Sequence, residues 1–212
     1  MYLKNNIFLL CLIVLSSCNL SKHKYDDVVF SKDEIYLFYR ETPSKVGEIS
    51  KSYNINNSNY SHIGIGFLDT KNNIKIYHII PNKKPNSKND LLCESLKDFF
   101  EPKDEEIKSG GILKINNLVK KSQIKIIKQI NEISKKNLKF DTNFENFDDN
   151  NFYCSEFVCK ILTKSNKEQF NFSLTKKAIY GLDSSYLGKD TIEYYPVDIF
   201  LNKKEYTTLL KF

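Results

Sequence analysis

The sequence predicts an α+β domain in which an antiparallel sheet packs against helices, and two kinds of pattern support this. Residues 60–68 and 74–80 alternate apolar side chains with polar or small ones, as the paired strands of a hairpin do. Residues 122–137 and 154–162 instead repeat apolar side chains at helical spacing. At 212 residues, 41% of them hydrophobic, the chain is long enough for one core, and we find neither an internal repeat nor a second domain.

The N-terminus carries the pattern of an exported protein. Lys4 is followed by an apolar run over residues 7–15, which is too short to span a bilayer and fits the hydrophobic region of a signal peptide. The run leads into residues 15–18 (LSSC), which resemble a bacterial lipobox, whose cysteine is lipidated and becomes the new N-terminus. We therefore expect lipid attachment at Cys18. An ordinary cleaved signal and a core strand remain open as alternatives.

This leader sets the predicted division of the chain. We expect a signal peptide over residues 1–17, a lipid-anchored polar tether over 18–30 and a single folded domain over 31–212. The expected location is the cell envelope, with the protein anchored to a membrane and exposed in the periplasm or on the cell surface. The net charge is +6, but no basic cluster is interleaved with aromatic residues, so we expect no nucleic-acid partner.

Local patterns predict the elements around the hairpin. We expect a helix around residues 46–52, a short helix over 91–100 that carries Cys93, and a strand over 112–115. Ser122 can cap a helix that runs to about Asn137. Residues 166–195 are expected to form a surface loop that could line a cleft. An apolar stripe on the predicted helix from Ser122 is expected to face the core and comprises Ile124, Ile127, Ile130 and Ile133.

The predicted hairpin carries two of the three histidines of the chain. His62 shares a strand face with Gly64 and Gly66, and glycines leave room on that face for close approach. Folding the chain about residue 70 or 71 places residue 68 opposite residue 72 or 74. Both registers bring His62 and His78 to one face, directly across from each other or one diagonal apart. The alternative is that each histidine is only a hydrogen-bonded polar residue of a strand.

Cys154 begins the apolar periodicity of the last predicted helix. Polar residues at 148–151 can cap the helix start, where free backbone N–H groups and the helix dipole favour a thiolate. The alternative is a buried cysteine that only packs. Cys93, Cys154 and Cys159 are an odd number beyond the leader, which argues against a disulfide framework. Cys154 and Cys159 diverge by about 140° on a helix, and no zinc-ligand spacing is present, so we expect neither metal nor cofactor.

Two motifs together resemble a known family. Residues 60–65 (YSHIGI), followed about 90 residues later by 153–158 (YCSEFV), are similar to the circularly permuted NlpC/P60 papain-like proteins of the YiiX/YaeF type. In that family a strand histidine precedes a polar third residue and then a helix-borne cysteine, the reverse of the usual papain-like order. Residues 33–40, 139–141 and 195–200 resemble further segments of the family. The resemblance implies a permuted papain-like NlpC/P60 fold over about residues 33–200.

The resemblance also implies roles for individual residues. Cys154 would be the nucleophile, His62 the base that takes its proton, and His78 the residue that orients the imidazole of His62. Many relatives have glutamate where this chain has His78, so the role of His78 departs from the usual pattern. Glu156 matches the cysteine motif, but a residue two positions further along a helix points away from Cys154, so we interpret it as structural.

Three functions follow from this reading of the sequence. The first is a cysteine-dependent amidase or peptidase of the cell envelope that acts on a peptide or amide through an acyl-enzyme. The second is a lipid acyl hydrolase or acyltransferase with the same residues, since the permuted architecture also resembles lecithin:retinol acyltransferase-like proteins. The third is a catalytically silent binding lipoprotein with a papain-like fold.

Overall fold

The computed structural model describes residues 23–81, 89–145 and 149–212. The predicted signal peptide, Cys18 and the first part of the tether lie outside these residues. Within the described ranges, no helix has both the length and the apolar content that a membrane crossing requires.

The strands and helices follow one another in mixed order along the chain. The strands are β1 Tyr36–Arg40, β2 His62–Leu68, β3 Ile74–Ile79, β4 Leu91–Glu94, β5 Gly110–Ile115, β6 Lys139–Phe140, β7 Asn151–Phe152, β8 Thr175–Ala178, β9 Thr191–Tyr194 and β10 Tyr206–Lys211. The helices are α1 Lys45–Ser52, α2 Leu96–Phe100, α3 Lys120–Ile133, α4 Cys154–Ser165 and α5 Leu182–Leu187.

A six-stranded sheet in the order β10-β5-β1-β2-β3-β4 forms the centre of the fold, and every neighbouring pair in it is antiparallel. Helix α4 packs on one face, against β2 and β3, and α3 packs against α4. The core on this face includes Ile63, Ile65 and Phe157. The opposite face carries a second apolar cluster with Phe38 and Phe99. The predicted α+β class, with an antiparallel sheet against helices, is confirmed.

The hairpin of β2 and β3 has one of the two registers that the sequence allows. Leu68 is paired with Ile74 and Gly66 with Ile76. Continuing this register places His78 opposite Gly64, and therefore one diagonal away from His62. A Cβ atom on Gly64 would lie 2.9 Å from Cγ2 of Ile76 and 3.2 Å from Cβ of His78, so glycine permits the close approach of the two strands at this point.

Several predictions about secondary structure are wrong in detail. Residues 166–195 were expected to form a surface loop, but they contain the paired strands β8 and β9 and the helix α5. Ser122 was expected to cap α3 but lies within it, because the helix already begins at Lys120. Residues 91–100 were expected to be one helix, but they form the strand β4 and then the helix α2, because Ser95 caps a new helix by accepting the N–H of Asp98. Cys93 consequently lies on a strand. Helix α3 buries Ile126 and Ile130, whereas Ile124 of the predicted core stripe is 55% exposed.

Part of the predicted tether packs onto the domain. The ring of Tyr25 is buried and stacks on Phe100, with 5.8 Å between the ring centroids. Lys24 Nζ lies 4.5 Å from the centroid of the Phe212 ring. Tyr25 thus belongs to the second apolar cluster and attaches the segment from His23 onward to the domain. The prediction of a polar tether did not account for this buried aromatic ring.

Candidate active site

Cys154 is the first residue of α4, and side chains hold this helix start in place. Tyr153 is the N-cap, rather than the polar residues at 148–151, of which 148 lies outside the described residues. Glu156 Oε2 accepts the backbone N–H of Tyr153 at 3.4 Å. Ser155 Oγ donates to the carbonyl of Tyr195 at 2.6 Å, and the N–H of Tyr195 donates to the Tyr153 hydroxyl at 2.8 Å. These contacts fix the position of the cysteine relative to the segment that follows β9.

The thiol of Cys154 is buried beside backbone donors. The N–H groups of Ile63, Ser155 and Cys154 itself approach the sulfur and lower its pKa, as expected at a helix start. Burial has the larger, opposite effect, because it disfavours the charged thiolate, and it raises the pKa of Cys154 to about 11. The thiol therefore lies against the peptide group that joins His62 to Ile63, and it is protonated at neutral pH.

The two histidines of the hairpin contact each other directly. Nε2 of His62 lies 2.8 Å from Nδ1 of His78, and the two rings are nearly perpendicular at 77°. Both side chains are buried, and the ring of Phe99 lies next to both, with centroids 6.0 Å from His62 and 5.2 Å from His78. His62 is paired across the sheet with Arg40 of β1. The alternation of the strands thus places the imidazole pair on the face that α2 covers.

Glu94 and Arg40 extend this group. Oε2 of Glu94 lies 3.0 Å from Nε2 of His78 and 3.9 Å from Nη1 of Arg40. The guanidinium of Arg40 is buried, donates to the carbonyl of Phe99 at 2.6 Å and lies 4.7 Å from the centroid of the Phe99 ring. The structure therefore places two imidazoles, a carboxylate and a guanidinium in one cluster.

Glu94 was not among the residues predicted from the sequence, and Arg40 was included only within residues 33–40, which resemble a segment of the family. Glu94 was missed because its segment was assigned to a helix, where it would not share a face with His78. The signal that could have identified it is Ser95, which can cap a helix that begins after it. Residues 91–94 would then precede the helix and could form a strand beside the hairpin.

Burial keeps both imidazoles uncharged. It lowers the pKa of His62 well below the usual value, and the neighbouring His78 and Arg40 lower it further. Burial also lowers the pKa of His78, although Glu94 opposes this shift and Arg40 adds to it. Each ring is therefore a neutral imidazole at pH 7, with one donor nitrogen and one acceptor nitrogen.

The other candidate residues lie apart from this cluster. The buried carboxylate of Glu156 has its Oε1 2.9 Å from Lys160 Nζ, a contact within α4 that agrees with a structural role. Cys93 is exposed on β4, Cys159 is buried in α4, and both are free thiols.

Comparison with known proteins identifies the family. A family model described as a permuted papain-like amidase enzyme, YaeF/YiiX, C92 family, matches residues 37–209. This chain belongs to that family. It is accordingly a thiol hydrolase of the cysteine amidase and peptidase type, with a peptide or amide as the class of substrate. No curated protein matches the chain.

A solved structure has a similar fold. The metalloprotein YiiX from Escherichia coli O157:H7 is 12% identical, and the match covers 86% of this chain and 99% of that protein with a TM-score of 0.61. In the parts of this chain that the structure describes, no group of three or more His, Cys, Asp or Glu side chains is arranged to hold a metal ion. The facing nitrogens of His62 and His78 are at hydrogen-bonding distance, which leaves no room for a metal between them.

Proposed function

We propose that this protein is a cysteine-dependent amidase or peptidase of the bacterial cell envelope that forms an acyl-enzyme on Cys154. The observation that carries the proposal is the position of the Cys154 thiol, which lies against the His62–Ile63 peptide group of β2, the strand that carries one of the two hydrogen-bonded imidazoles. A nucleophile beside a base that a third group orients is the recurring arrangement of covalent acyl transfer.

His62 is the proposed base. Its Nε2 faces His78, so Nδ1 is the nitrogen left to take the proton of Cys154. As the proton moves to Nδ1, the sulfur forms a bond to the substrate carbonyl carbon and the carbonyl oxygen becomes an oxyanion. The backbone N–H of Cys154 at the start of α4 helps to stabilise that oxyanion, because the N–H groups of the first helical turn have no partner within the helix.

The remaining steps return the protein to its starting state. His62 gives its proton to the leaving amine nitrogen, the carbon–nitrogen bond breaks, and a thioester remains on Cys154. Water then attacks the thioester carbon while His62 takes a proton from that water. The carbon–sulfur bond breaks, the thiol recovers its proton, and a carboxylic acid leaves. His78 holds the ring of His62 in the orientation that both transfers need.

The cell envelope is the proposed location. The apolar run and the lipobox-like residues 15–18 support export, with lipidation of Cys18 as the membrane anchor. Such an anchor would hold the domain close to envelope substrates. Mass spectrometry of the mature N-terminus is the direct check. A diacylated or triacylated Cys18 supports the anchor, whereas an unmodified mature N-terminus beyond residue 18 contradicts it.

A product assay tests the proposed reaction. The wild type, Cys154→Ala and the control Cys93→Ala are incubated with cell-wall peptides and, separately, with phospholipid vesicles, and the products are identified by mass. Hydrolysed amide bonds that disappear only in Cys154→Ala support the proposal. Release of fatty acid alone would assign a lipid acyl hydrolase instead. Equal turnover by Cys154→Ala and the wild type, or no turnover of either substrate, would overturn the proposed chemistry.

A further inference from the structure

We propose that Glu94 is a positioning residue that sets the tautomer of His78 and, through it, the tautomer of His62. In that tautomer Nδ1 of His62 carries a lone pair and can accept the proton of Cys154. This inference deepens the proposed function and rests on it for its chemical consequence. It adds a carboxylate on a third strand to the two imidazoles, and it gives that carboxylate a role that can be measured without any substrate.

The three residues form a line across neighbouring strands. His62 lies on β2 and His78 on β3, one diagonal apart, and Glu94 is paired with Ile76, two residues from His78. Because residues two apart on a strand share a face, all three side chains lie on one side of the sheet. The distances along the line are 2.8 Å from His62 Nε2 to His78 Nδ1 and 3.0 Å from His78 Nε2 to Glu94 Oε2.

The last contact of this line joins two buried atoms that depend on each other. The approach of His78 Nε2 to Glu94 Oε2 is oblique, outside the angles of a hydrogen bond, and neither atom has another hydrogen-bond partner. A buried polar atom without a partner is costly, and these two are already within 3.0 Å. A small rotation of the Glu94 side chain aligns them and satisfies both.

The chemistry of the carboxylate then dictates the protons along the line. An ionised carboxylate only accepts hydrogen bonds, so Nε2 of His78 must carry the hydrogen. In a neutral imidazole the other nitrogen is then an acceptor, so Nδ1 of His78 accepts from Nε2–H of His62. The remaining nitrogen of His62, Nδ1, therefore has a lone pair. That is the form in which His62 can take the proton of Cys154.

Arg40 holds the carboxylate in this role. Its Nη1 lies 3.9 Å from the same oxygen of Glu94, and the guanidinium is fixed by the carbonyl and the ring of Phe99. Arg40 can only donate hydrogen bonds, so Glu94 meets donors on both sides. The opposite tautomer of His78 would direct a lone pair at a carboxylate, which is unfavourable.

A simpler role for Glu94 makes a different prediction. If Glu94 only balances the charge of the buried Arg40, its removal changes stability but leaves the tautomers of the imidazoles unaltered. Glu94→Gln and Glu94→Ala separate the two roles. Glutamine has no charge, but its amide oxygen can still accept hydrogen bonds from the donors of His78 and Arg40. Alanine loses both the oxygen and the charge.

The experiment is nitrogen-15 NMR of the histidine rings in the wild type, Glu94→Gln and Glu94→Ala, with the exposed Glu132→Ala as a matched control. We expect Nδ1 of both His62 and His78 to be unprotonated at neutral pH in the wild type, in Glu94→Gln and in the control. In Glu94→Ala we expect mixed tautomers. Wild-type tautomers in a folded Glu94→Ala would overturn the proposal.

Steady-state kinetics with the substrate from the product assay give the second readout. We expect kcat to fall about 10- to 100-fold in Glu94→Ala with little change in KM, as for other residues that orient a reacting group, and severalfold in Glu94→Gln. If Glu94→Ala does not fold, a protonated Nδ1 on His62 or His78 in the wild type or in folded Glu94→Gln would overturn the proposal. The NMR result does not depend on turnover, so activity in Cys154→Ala would refute the proposed function and leave the tautomers of the histidines established.

Discussion

Cys154 and His62 are both uncharged in the free protein at neutral pH. Burial raises the pKa of the thiol to about 11 and lowers that of the imidazole well below its usual value. The helix start was expected to favour a thiolate, but the backbone donors around the sulfur do not outweigh the loss of water. The proton must therefore move as the sulfur attacks, instead of residing on His62 beforehand. We expect such a site to react slowly with small electrophiles at neutral pH, because little of the thiol is present as thiolate.

This protonation state predicts the pH dependence of alkylation. In a Cys93→Ala background, the rate at which iodoacetamide modifies Cys154 should rise about tenfold per pH unit from pH 7 to pH 10, because only the thiolate reacts and its fraction grows until the pKa is reached. Mass spectrometry of the modified peptide measures the rate. A rate that is already constant from pH 6 to pH 9 would instead indicate a preformed thiolate–imidazolium pair.

Glu156 predicts a pH-dependent contribution to stability. Burial raises the pKa of this carboxyl to about 7, although Lys160 opposes the shift. The unfolded chain therefore releases the proton at lower pH than the folded one. The wild type loses stability as the pH rises from about 4.5 to about 7, by about 3 kcal/mol for this group. Urea unfolding of Glu156→Gln should lack this loss.

The exposed Glu132→Gln is the control for that series, because it removes a carboxylate from a helix surface and should follow the wild type at every pH. If the difference in unfolding free energy between Glu156→Gln and the wild type were the same at pH 5 and pH 8, the raised pKa of Glu156 would be disproved.

At the scale of elements, the hairpin of β2 and β3 positions the site by bringing two backbones unusually close. Gly64 and Gly66 face β3, and a Cβ atom at Gly66 would lie 2.5 Å from the carbonyl oxygen of Lys75. A Cβ at Gly64 would meet Cβ of His78 at 3.2 Å. Both glycines thus maintain the register, but only Gly64 lies against a histidine of the candidate site.

We therefore expect different results from Gly64→Ala and Gly66→Ala. Each should lower the free energy of unfolding by about 1–3 kcal/mol, as overpacking does, which urea titration measures. Only Gly64→Ala should also reduce the kcat of the folded fraction, since it displaces His78 from His62. Equal kcat in the two variants, after correction for the folded fraction, would show that the strand spacing at Gly64 does not position the imidazoles.

The hairpin is the element that the sequence predicts best, and the reason is local. Folding the chain about residue 70 or 71 gives even registers, and every even register brings His62 and His78 to one face, whereas an odd register would separate them. The helix of Cys154 is predicted for a similar reason, its apolar spacing. Glu94 was not predicted, because a four-residue strand followed at once by a short helix leaves no period long enough to recognise. Because β4 was not predicted, Glu94, the third side chain of the line across the sheet, was not predicted either.

At the scale of the whole molecule, contacts between distant segments complete the site. The strands β10 and β5 pair although about 90 residues separate them, and Cys154 reaches β2 over a similar distance. No periodicity in the sequence encodes such pairing. The order of the motifs could be assigned only through the resemblance to a permuted family, whose family model matches residues 37–209.

Asp198 illustrates one such connection and yields a further prediction. Its buried carboxylate accepts the N–H groups of Ile55 and Asn56, at 3.0 and 2.7 Å, and so ties the closing stretch of the chain to the loop before β2. Asp198→Ala should lower the free energy of unfolding by about 3 kcal/mol, because it leaves two N–H groups without their charged acceptor. Asp104→Ala, at an exposed position, is the control. A loss below 1 kcal/mol in Asp198→Ala would show that this connection is not needed.

The central claim is that Cys154 and His62 act as one nucleophile–base pair. The most direct test is the rate at which a peptide-based electrophile modifies Cys154, measured by mass spectrometry in the wild type, His62→Ala and the control Cys93→Ala. We predict modification at Cys154 in the wild type and the control. In His62→Ala we predict that the rate falls by a factor of about 100 or more, since a positioned base typically contributes at least that factor. An equal rate in His62→Ala, or faster modification of Cys93 than of Cys154, would contradict the account.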